Sequence, residues 1–509
     1  MSSHLSRKTS LFFLVAIPYC LTWAVLCLCF QTNYRADSIE HLFISDQYVW
    51  GTGKHPTLSA WFLSLVRFVT GDAEIAPYLG SELLVLLILA CIWRLSREFL
   101  RDERLALLVT LAAANYRYLN IGNLILNNSQ FMTTCWVLAI MFFYYALTKN
   151  RRRDWALVGL WLGMGMQGKY PIIFLAVAML VFMVVNRRGR RYWATSGPYL
   201  TLGFALLGIL PHLIWLIQND FVTFHYASTS PSIHKTGKPL APFVNPLRYF
   251  FGLIIVLLPT FITLLPLTGL PGKWKLRPKL LQNPINRFRL VFLVIMIGVP
   301  LTFHLIVAAT GRNQPSRYMM APGMLIPLLY AFVLSLRTDL VALRRTAMLG
   351  FGILVATMLL WSGSLTWQAR FGTNPHVSNF PGKKLAKIVE ASWQEHYGER
   401  PCPFVSDIEA GQFWYSGNVH IYGTQKIPVH SSGITVQFSD EEMKRRGGIV
   451  LWEKNRFDFE DVLRRFPKAE LLPDIVIPYE RPFSSKFDPE TIGMAILPLP
   501  DVETSSIVP

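Results

Sequence analysis

Charged residues are scarce in this 509-residue sequence. Asp, Glu, Lys and Arg make up 16% of it, against roughly a quarter of an average soluble protein. Hydrophobic residues make up 52%, and they cluster in runs close to the ~20 residues that cross a bilayer. These runs recur from Leu11 to Trp367, and the chain is polar after them. The composition excludes an ordinary soluble protein and predicts a membrane domain at residues 1–367 and a soluble domain at residues 368–509.

Cysteine is also scarce, and its placement excludes a disulfide framework. Cys402 is alone in the polar tail, because the other five of the six cysteines lie in apolar runs. A lone cysteine cannot form a disulfide within the tail. The sequence also lacks a P-loop and a nucleotide-binding glycine motif. The first apolar run, Leu11–Phe30, has no small-residue cleavage site, so we expect a retained anchor there and not a signal peptide.

The basic residues follow a pattern along the chain. The formal net charge is +18, and within residues 1–367 most Lys and Arg residues lie in short loops between apolar runs. Every second loop is basic, at residues 94–104, 149–153, 187–191, 273–289 and 337–345. This alternation is the positive-inside pattern of membrane proteins, and it argues against a nucleic-acid partner. It predicts a cytoplasmic N-terminus and, after an odd number of crossings, a C-terminal domain on the opposite side.

The apolar runs predict about eleven transmembrane helices. We place them near residues 11–30, 78–93, 105–121, 126–147, 155–168, 171–186, 197–217, 247–269, 290–309, 319–336 and 346–367. Two outward segments, 31–77 and 218–246, are longer than simple turns. The first contains LSAWFLSLVRFV at 58–69, which fits a helix along the membrane interface or a short helix packed inside the protein.

The tail has the pattern of a mixed α/β domain. Residues 383–396 have helical periodicity, and 457–466 fits a second helix. Short apolar runs at 404–405, 449–452, 474–478 and 494–497 are typical of strands. The tail contains no metal-ligand spacing and no nucleophile motif. We therefore expect it to support the membrane domain or to dock an acceptor.

Ionisable residues cluster in the outward segments. Asp37 and Glu40 are spaced i, i+3, so a helical turn would place both carboxylates on one side. Such a pair can act as a general base, hold a divalent cation or belong to a solvated loop, and the spacing leaves these alternatives open. Lys54 and His55 follow in the same segment.

Three cations lie in other short outward loops. Lys169 stands between two apolar runs in GMGMQGKYP, and Arg312 and Arg317 lie in TGRNQPSRYM. Each can bind a phosphate, although each alone also fits a side chain anchored at the membrane interface. Together with the acids, they predict a site for an anionic lipid substrate plus a base.

Four further polar residues are secondary candidates for substrate contacts. Asn127 and Asn128 begin an apolar run, where a helix cap is the better interpretation. Asp220 and His225 lie in QNDFVTFHY, and we interpret His225 as structural.

The order and spacing of several segments resemble glycosyltransferase family 39. These bacterial relatives of the dolichyl-phosphate-mannose protein mannosyltransferases include lipid A aminoarabinose and galacturonic acid transferases. The resemblance covers most of residues 10–370 and is carried by DSIEHLFISDQYVWGTGKHPTLSAWF at 37–62, ILNNSQFMTTCWVLAIMFFYYAL at 125–147, GLWLGMGMQGKYPIIF at 159–174, LPHLIWLIQNDFVTFHY at 210–226, and Arg317-Tyr318 with Pro322.

The resemblance implies a C-type glycosyltransferase fold with its active site at the outward face of a bacterial inner membrane. It implies a polyprenyl-phosphate sugar donor, a lipid, glycan or protein acceptor, and a first outward loop, 31–77, that is catalytic. An acid of that loop, Asp37 or Glu40, would be the base, and Lys169 and Arg317 would contact the donor phosphate. Family members often pair these acids more tightly or carry an Asp where this chain has Asn127-Asn128.

The resemblance predicts a direct transfer. The acceptor attacks the sugar anomeric carbon as Asp37 or Glu40 takes its proton, and the lipid phosphate leaves towards Lys169 and Arg317. The resemblance does not specify a cofactor. If a divalent cation takes part, Asp37 and Glu40 would hold it. The alternatives are a transporter or flippase of lipid-linked sugars, for which no internal repeat is visible, and an inactive scaffold subunit.

Overall fold

The computed structural model describes residues 2–72, 74–122, 124–229, 238–272, 274–278, 280–314, 316–372, 377–436, 438–479 and 487–500. The chain forms two compact units. The membrane unit comprises residues 1–27 and 55–362, and the second unit comprises residues 28–54 and 363–509. This division differs from the predicted boundary at residue 367, because residues 28–54 group with the tail.

Helices dominate the first 371 residues. In chain order they are α1 (Ser2–Phe30), α2 (Ala36–Ser45), α3 (Leu58–Thr70), α4 (Ala76–Leu100), α5 (Glu103–Ala114), α6 (Asn128–Lys149), α7 (Arg152–Met166), α8 (Ile173–Val185), α9 (Arg187–Arg190), α10 (Gly197–Gln218), α11 (Val222–Thr229), α12 (Ala241–Thr268), α13 (Pro284–Ala309), α14 (Met320–Gly323), α15 (Ile326–Val333) and α16 (Leu340–Phe371). Short 3-10 turns lie at Arg117–Leu119, Tyr170–Ile172, Arg191–Ala194 and Ser316–Met319.

Seven of the predicted spans are confirmed as helices long and apolar enough to cross a membrane. They are α1, α4, α6, α10, α12, α13 and α16, and the described residues give eight if the bent pair of Tyr170–Val185 and Arg187–Ala194 is one span. The predicted count of eleven is not confirmed. The predicted spans at 105–121 and 155–168 form α5 and α7, of 12 and 15 residues, and 319–336 is broken into α14 and α15.

A polar side chain marks the end of α5, and a proline marks the start of α15. α5 ends before Asn115, whose Nδ2 donates to Thr263 Oγ1 at 3.0 Å and to the Gly350 carbonyl at 3.1 Å. A buried amide that bonds to two neighbouring helices fixes the end of its own helix. α15 has Pro327 in its first turn, a position where the missing N–H of proline costs no helical hydrogen bond.

Helix α3 confirms the predicted helical stretch in the first outward segment. It buries Ala60 and Leu63 but leaves Leu65, Phe68 and Val69 between 58% and 85% exposed. An apolar helix face that is exposed in a membrane protein fits the interfacial interpretation. The helix ends at Gly71 with a φ of 66°, the left-handed conformation that favours glycine.

The second unit contains a five-stranded mixed sheet. Its further elements are α17 (Gly382–Tyr397), β1 (Val405–Asp407), α18 (Trp414–Tyr422), β2 (Val429–His430), α19 (Asp440–Arg446), β3 (Gly448–Glu453), α20 (Phe459–Arg465), β4 (Glu470–Ile477) and β5 (Glu490–Leu497), and a 3-10 turn lies at Val377–Asn379. The strand order is β2-β1-β3-β5-β4, with β1 parallel to β2 and β3, and β5 antiparallel to β3 and β4. The predicted α/β class is confirmed, and α17, α20, β3 and β5 lie where the sequence pattern places them.

Helix α2 explains why residues 28–54 belong to this unit. It packs on α18, where Gly417 lets the helices approach closely, because a Cβ there would lie 2.4 Å from the Ile39 side chain. Asp46 lies 2.9 Å from His420 Nε2, and the Phe43 and Phe413 ring centroids are 5.4 Å apart. Residues 31–54, the first part of the first outward segment, are therefore built into the second unit by buried contacts.

Candidate active site

A cleft in the membrane unit brings together two of the predicted cations. Lys169 and Arg317 both line it, with Ser129, His304 and Tyr318. The Lys169 Nζ donates a hydrogen bond to Ser129 Oγ at 3.0 Å and lies 5.4 Å from the Tyr318 ring centroid. None of the residues that line this cleft is Asp or Glu. Two cations without a carboxylate among them form an electrostatic site for an anion. We call this the Lys169 cleft.

The backbone at Gly168 brings Lys169 to α6. A Cβ at Gly168 would lie 2.9 Å from the Phe131 ring and 3.2 Å from the Met132 nitrogen. Because only glycine fits against a neighbouring helix at this distance, the chain after α7 can pass directly over the first turn of α6. Tyr170 then fixes the following residues, since its hydroxyl lies 2.8 Å from His212 Nε2 of α10.

Asn127 begins α6 as the sequence predicts. Its Oδ1 accepts a hydrogen bond from the Gln130 N–H at 3.0 Å, and its Nδ2 donates to the Ile125 carbonyl at 3.0 Å. This is the N-cap interaction that satisfies a free donor at a helix start. The cap interpretation of Asn127 is confirmed, and Ser129 consequently lies in the first turn of α6, where it contacts Lys169.

His304 and Tyr318 form the aromatic side of the Lys169 cleft. Their rings stack at 5.6 Å with an interplanar angle of 8°, and His304 Nδ1 lies 3.2 Å from Gln314 Oε1. Sequence reasoning missed Ser129, His304 and Tyr318 as cleft residues. The signal for His304 was present, because an ionisable ring inside an apolar helix of a membrane protein commonly has a functional or pairing role.

The remaining cations and polar candidates of the membrane unit lie apart from the Lys169 cleft. Arg312 does not line it, and the Arg312 carbonyl accepts a hydrogen bond from Asn245 Nδ2 at 3.1 Å. Asp220 is exposed with a φ of 49° after α10, and His225 is exposed on α11. Neither lines the cleft, so the structure does not bring these three residues to Lys169.

Asn128 contacts His55. Its Nδ2 lies 2.8 Å from each of the two imidazole nitrogens, and its Oδ1 accepts a hydrogen bond from Ser59 Oγ. The amide is thus held between α3 and the loop before it. This network gives Asn128 a structural role at the start of α6 and orients the His55 ring.

The acids of α2 lie in the second unit in contrasting environments. Glu40 is 1% exposed and its Oε2 forms an ion pair with Lys54 Nζ at 2.6 Å. Asp37 lies in the first turn of α2 and is exposed, and its carboxylate has no hydrogen bond or ion pair with the described part of the chain. The predicted helical turn is confirmed, but the two carboxylates do not share one environment.

This arrangement bears on the predicted divalent cation. An ammonium group already occupies one oxygen of Glu40, and the described residues hold no group of three or more His, Cys, Asp or Glu side chains that could bind a metal ion. A cation site needs several oxygen ligands. The acidic pair therefore does not fit a divalent-cation site.

Comparison with known proteins supports the resemblance. Residues 54–215 match the family profile described as dolichyl-phosphate-mannose-protein mannosyltransferase. The matched stretch contains Lys54, His55, Asn127, Asn128 and Lys169. The predicted resemblance to glycosyltransferase family 39 is thus confirmed over this region.

Curated relatives match part of the chain. The lipopolysaccharide core galacturonosyltransferase RgtA of Rhizobium johnstonii is 25% identical over 256 residues, which are 48% of this chain and 50% of the relative. The undecaprenyl phosphate-alpha-4-amino-4-deoxy-L-arabinose arabinosyl transferase of Edwardsiella ictaluri is 23% identical over 269 residues, 50% of this chain and 47% of the relative. The chain spans about half the length of the curated relatives it matches.

A solved structure shares the fold over nearly the whole chain. The crystal structure of ArnT from Cupriavidus metallidurans bound to undecaprenyl phosphate matches with a TM-score of 0.64 at 12% identity. The match covers 96% of this chain and 97% of ArnT. It shows that this chain shares that fold, a helical membrane protein with a small β-sheet in its C-terminal region, as predicted.

Proposed function

We propose that this chain is a membrane glycosyltransferase that moves a sugar from a polyprenyl-phosphate carrier to a lipid, glycan or protein acceptor. The observation that carries the proposal is the Lys169 cleft, where Lys169 and Arg317 line one cavity without a carboxylate. The activities of two relatives support the donor and acceptor classes, since one is named for an undecaprenyl phosphate sugar donor and the other for a lipopolysaccharide acceptor.

In this proposal the phosphate of the donor binds in the Lys169 cleft. Lys169 is already oriented by Ser129 and the Tyr318 ring, so it needs little rearrangement when negative charge develops on the leaving phosphate. Preorganised cations of this kind stabilise a transition state more than flexible ones do. Arg317 supplies a planar guanidinium that suits phosphate oxygens.

The proposed base is Asp37. The acceptor oxygen or nitrogen forms a bond to the sugar anomeric carbon, its proton passes to the Asp37 carboxylate, and the bond between that carbon and the phosphate oxygen breaks. Polyprenyl phosphate leaves with the electron pair of that bond. Asp37 is preferred over Glu40 because the buried ion pair with Lys54 stabilises Glu40 as a structural anion.

The proposed setting is a bacterial inner membrane with a cytoplasmic N-terminus and a periplasmic C-terminal domain. Ser129, which borders the Lys169 cleft, lies at the start of α6, while Lys149 ends the same helix beside the basic loops. The positive-inside rule assigns the basic end to the cytoplasm. The Lys169 cleft then opens towards the periplasmic side, where a lipid-linked donor needs no nucleotide.

A transfer assay tests the proposal. Purified protein in lipid is offered a panel of polyprenyl-phosphate sugars with candidate acceptors, and the release of polyprenyl phosphate is measured. We expect release with one sugar, its loss in Lys169→Ala, and its retention in the control Lys387→Ala, an exposed lysine of α17. Movement of the intact donor across the bilayer without release would instead support a transporter.

A further inference from the structure

A second, larger cleft lies at the other end of α6. It has a volume of about 900 Å³ and is lined by the last turns of α4 and α6, the chain from α8 to α9, and the first turns of α13. Ser129 and Lys149 are separated by ~30 Å along the axis of α6, which is the thickness of a bilayer hydrocarbon core. The spacing therefore places these two clefts at levels that match opposite leaflets. We call the second one the basic cleft.

The basic cleft concentrates positive charge. Glu98 is the one carboxylate among its lining residues, and it lies 4.0 Å from Lys149 Nζ. The cations are contributed by four separate segments: Arg101 after α4, Lys149 from α6, Arg187, Arg188 and Arg191 around α9, and Arg287 and Arg289 from α13. The positive-inside rule explains basic loops, but it does not require four segments to converge on one cavity. Their mutual repulsion favours binding of an anion there.

Arg289 is the buried member of this group. It is 6% exposed, its Nε donates to the Tyr144 hydroxyl at 3.1 Å, and its Nη1 donates to the Phe99 carbonyl at 3.4 Å. Its guanidinium also lies 5.5 Å from the Phe99 ring centroid. All these partners are neutral, so they orient the guanidinium without cancelling its charge. A buried charge in this state is stabilised by an anionic ligand.

The apolar part of the lining identifies the kind of anion. Val185 and Ile285 line the cleft and are 61% and 51% exposed. Phe288 is 5.3 Å from the Arg188 guanidinium, which lies over its ring. Cations next to exposed apolar side chains at the end of membrane-spanning helices match the boundary between headgroups and acyl chains. A soluble phosphate would use the cations but gain nothing from these apolar side chains.

We propose that the basic cleft binds the phosphate of an anionic phospholipid from the leaflet opposite the Lys169 cleft, with its acyl chains against Val185 and Ile285. The site is distinct from the proposed donor site. It does not depend on the proposed function, because its occupant is a bulk membrane lipid and its readout is binding.

Native mass spectrometry of the full-length protein in neutral detergent tests the proposal. The protein is titrated with phosphatidylglycerol or with phosphatidylcholine, and the dissociation constant of the first bound lipid is measured. The cleft variant is Arg188→Gln with Arg287→Gln. The matched control is Arg344→Gln with Arg345→Gln, which removes the same charge from two exposed arginines of α16 that do not line the cleft.

We expect wild type to bind phosphatidylglycerol more tightly than phosphatidylcholine, and the cleft variant to bind phosphatidylglycerol at least about tenfold more weakly, since each cation near a membrane surface contributes roughly fivefold. The control should change by less than about twofold. Equal weakening in both variants, or no preference in wild type, would overturn the proposal. If the cleft variant fails to fold, single Arg188→Gln replaces it, with an expected effect of about fivefold.

A competition arm separates the lipid from a free phosphate. Inorganic phosphate and pyrophosphate are added to the complex of wild type with phosphatidylglycerol. We expect neither to displace the lipid at low millimolar concentration. Displacement there, with equally tight binding of pyrophosphate alone, would assign the cleft to a soluble phosphate compound and overturn the lipid assignment.

Discussion

The two units of this protein accommodate charge in different ways. In the membrane unit, Lys169 donates to a hydroxyl and lies near an aromatic ring, in a cleft with no carboxylate among its lining residues. In the second unit, buried carboxylates have their own partners: Glu40 pairs with Lys54, and Asp407 accepts hydrogen bonds from the Tyr415 and Ser416 N–H groups. Lys169 therefore lines a cleft without a carboxylate, whereas each of these two carboxylates has a partner within its own unit. Asp37 differs from Glu40 of the same helix, because its carboxylate is exposed.

The largest expected effect comes from removing the proposed base. Asp37→Asn should lower kcat by ~10²–10⁴-fold, the range of general base catalysis, without changing thermal stability, because the carboxylate is exposed. Transfer assays and thermal unfolding of the same preparation check both statements. Glu40→Asp serves as the comparison that keeps an acid on α2. Full activity of Asp37→Asn would show that Asp37 is not the base, and the proposed difference between a catalytic Asp37 and a structural Glu40 would then be wrong.

The next effect concerns the cation of the Lys169 cleft. Lys169→Ala should lower kcat/KM by ~10²–10³-fold, as expected when one preorganised group is removed from a developing charge. Arg152→Ala, at an exposed arginine of the basic loop after α6 that lines neither cleft, should leave transfer within about twofold of wild type. Similar losses in both variants would show that general positive charge, and not the position of Lys169, supports the reaction.

The third prediction concerns two buried groups of the sheet whose pH dependences oppose each other. Burial raises the pKa of Asp407 from 3.8 to about 6, despite its backbone hydrogen bonds. Its contribution to stability is therefore present below pH 3.8 and lost as pH rises to 6. Burial lowers the pKa of His430 from 6.5 to about 4, although Asp440 opposes this. Its contribution is present above pH 6.5 and lost as pH falls to 4.

Each of these contributions is about 3 kcal/mol. Because they have opposite signs, the free energy of unfolding of wild type should change little between pH 4 and 6.5. In the Asp407→Asn variant, the free energy of unfolding should rise with pH over this range, because only the His430 effect remains. In the His430→Gln variant it should fall with pH, because only the Asp407 effect remains. Hydrogen exchange of the β1 and β3 amides in the full-length protein measures both slopes. Parallel slopes in the two variants would contradict the assignment of these groups.

Glu40→Gln tests the structural role of the buried ion pair. The variant removes the carboxylate charge from the ion pair with Lys54, and because Lys54 is 24% exposed, we expect a loss of about 1–3 kcal/mol in the free energy of unfolding, below the range for a fully buried pair. Thermal unfolding measures it, with Glu40→Gln/Lys54→Met as the variant that should recover part of the loss. Unchanged stability combined with lost turnover would favour Glu40 as the base.

The smallest effect is expected at Ser129. Ser129→Ala removes the hydrogen bond to Lys169 Nζ, which is worth about 1 kcal/mol, so kcat/KM should fall roughly fivefold. Ser129→Thr retains a hydroxyl and should recover most of the rate. A loss as large as that of Lys169→Ala would mean that Ser129 contacts the substrate directly.

The sequence predicted the fold class well because apolar runs and basic loops are local signals. It predicted Lys169 and Arg317 as phosphate ligands, and the structure places both on one cleft. The helix count was less accurate, since α5 ends at an asparagine that bonds to two distant helices. The stacking of His304 on Tyr318 and the grouping of residues 28–54 with the tail depend on contacts between distant parts of the chain, which no local sequence pattern contains.

The packing of the first outward loop on the tail also constrains synthesis. Asn33 Nδ2 donates to Asn418 Oδ1 across a sequence separation of 385 residues. At a translation rate of 5–20 residues per second, the loop waits for its partner for ~20–80 s. During that interval its apolar residues, such as Phe43, have no native surface to cover them. In newly made chains this loop should therefore need a chaperone, or another form of protection from proteases, until α18 has been synthesised.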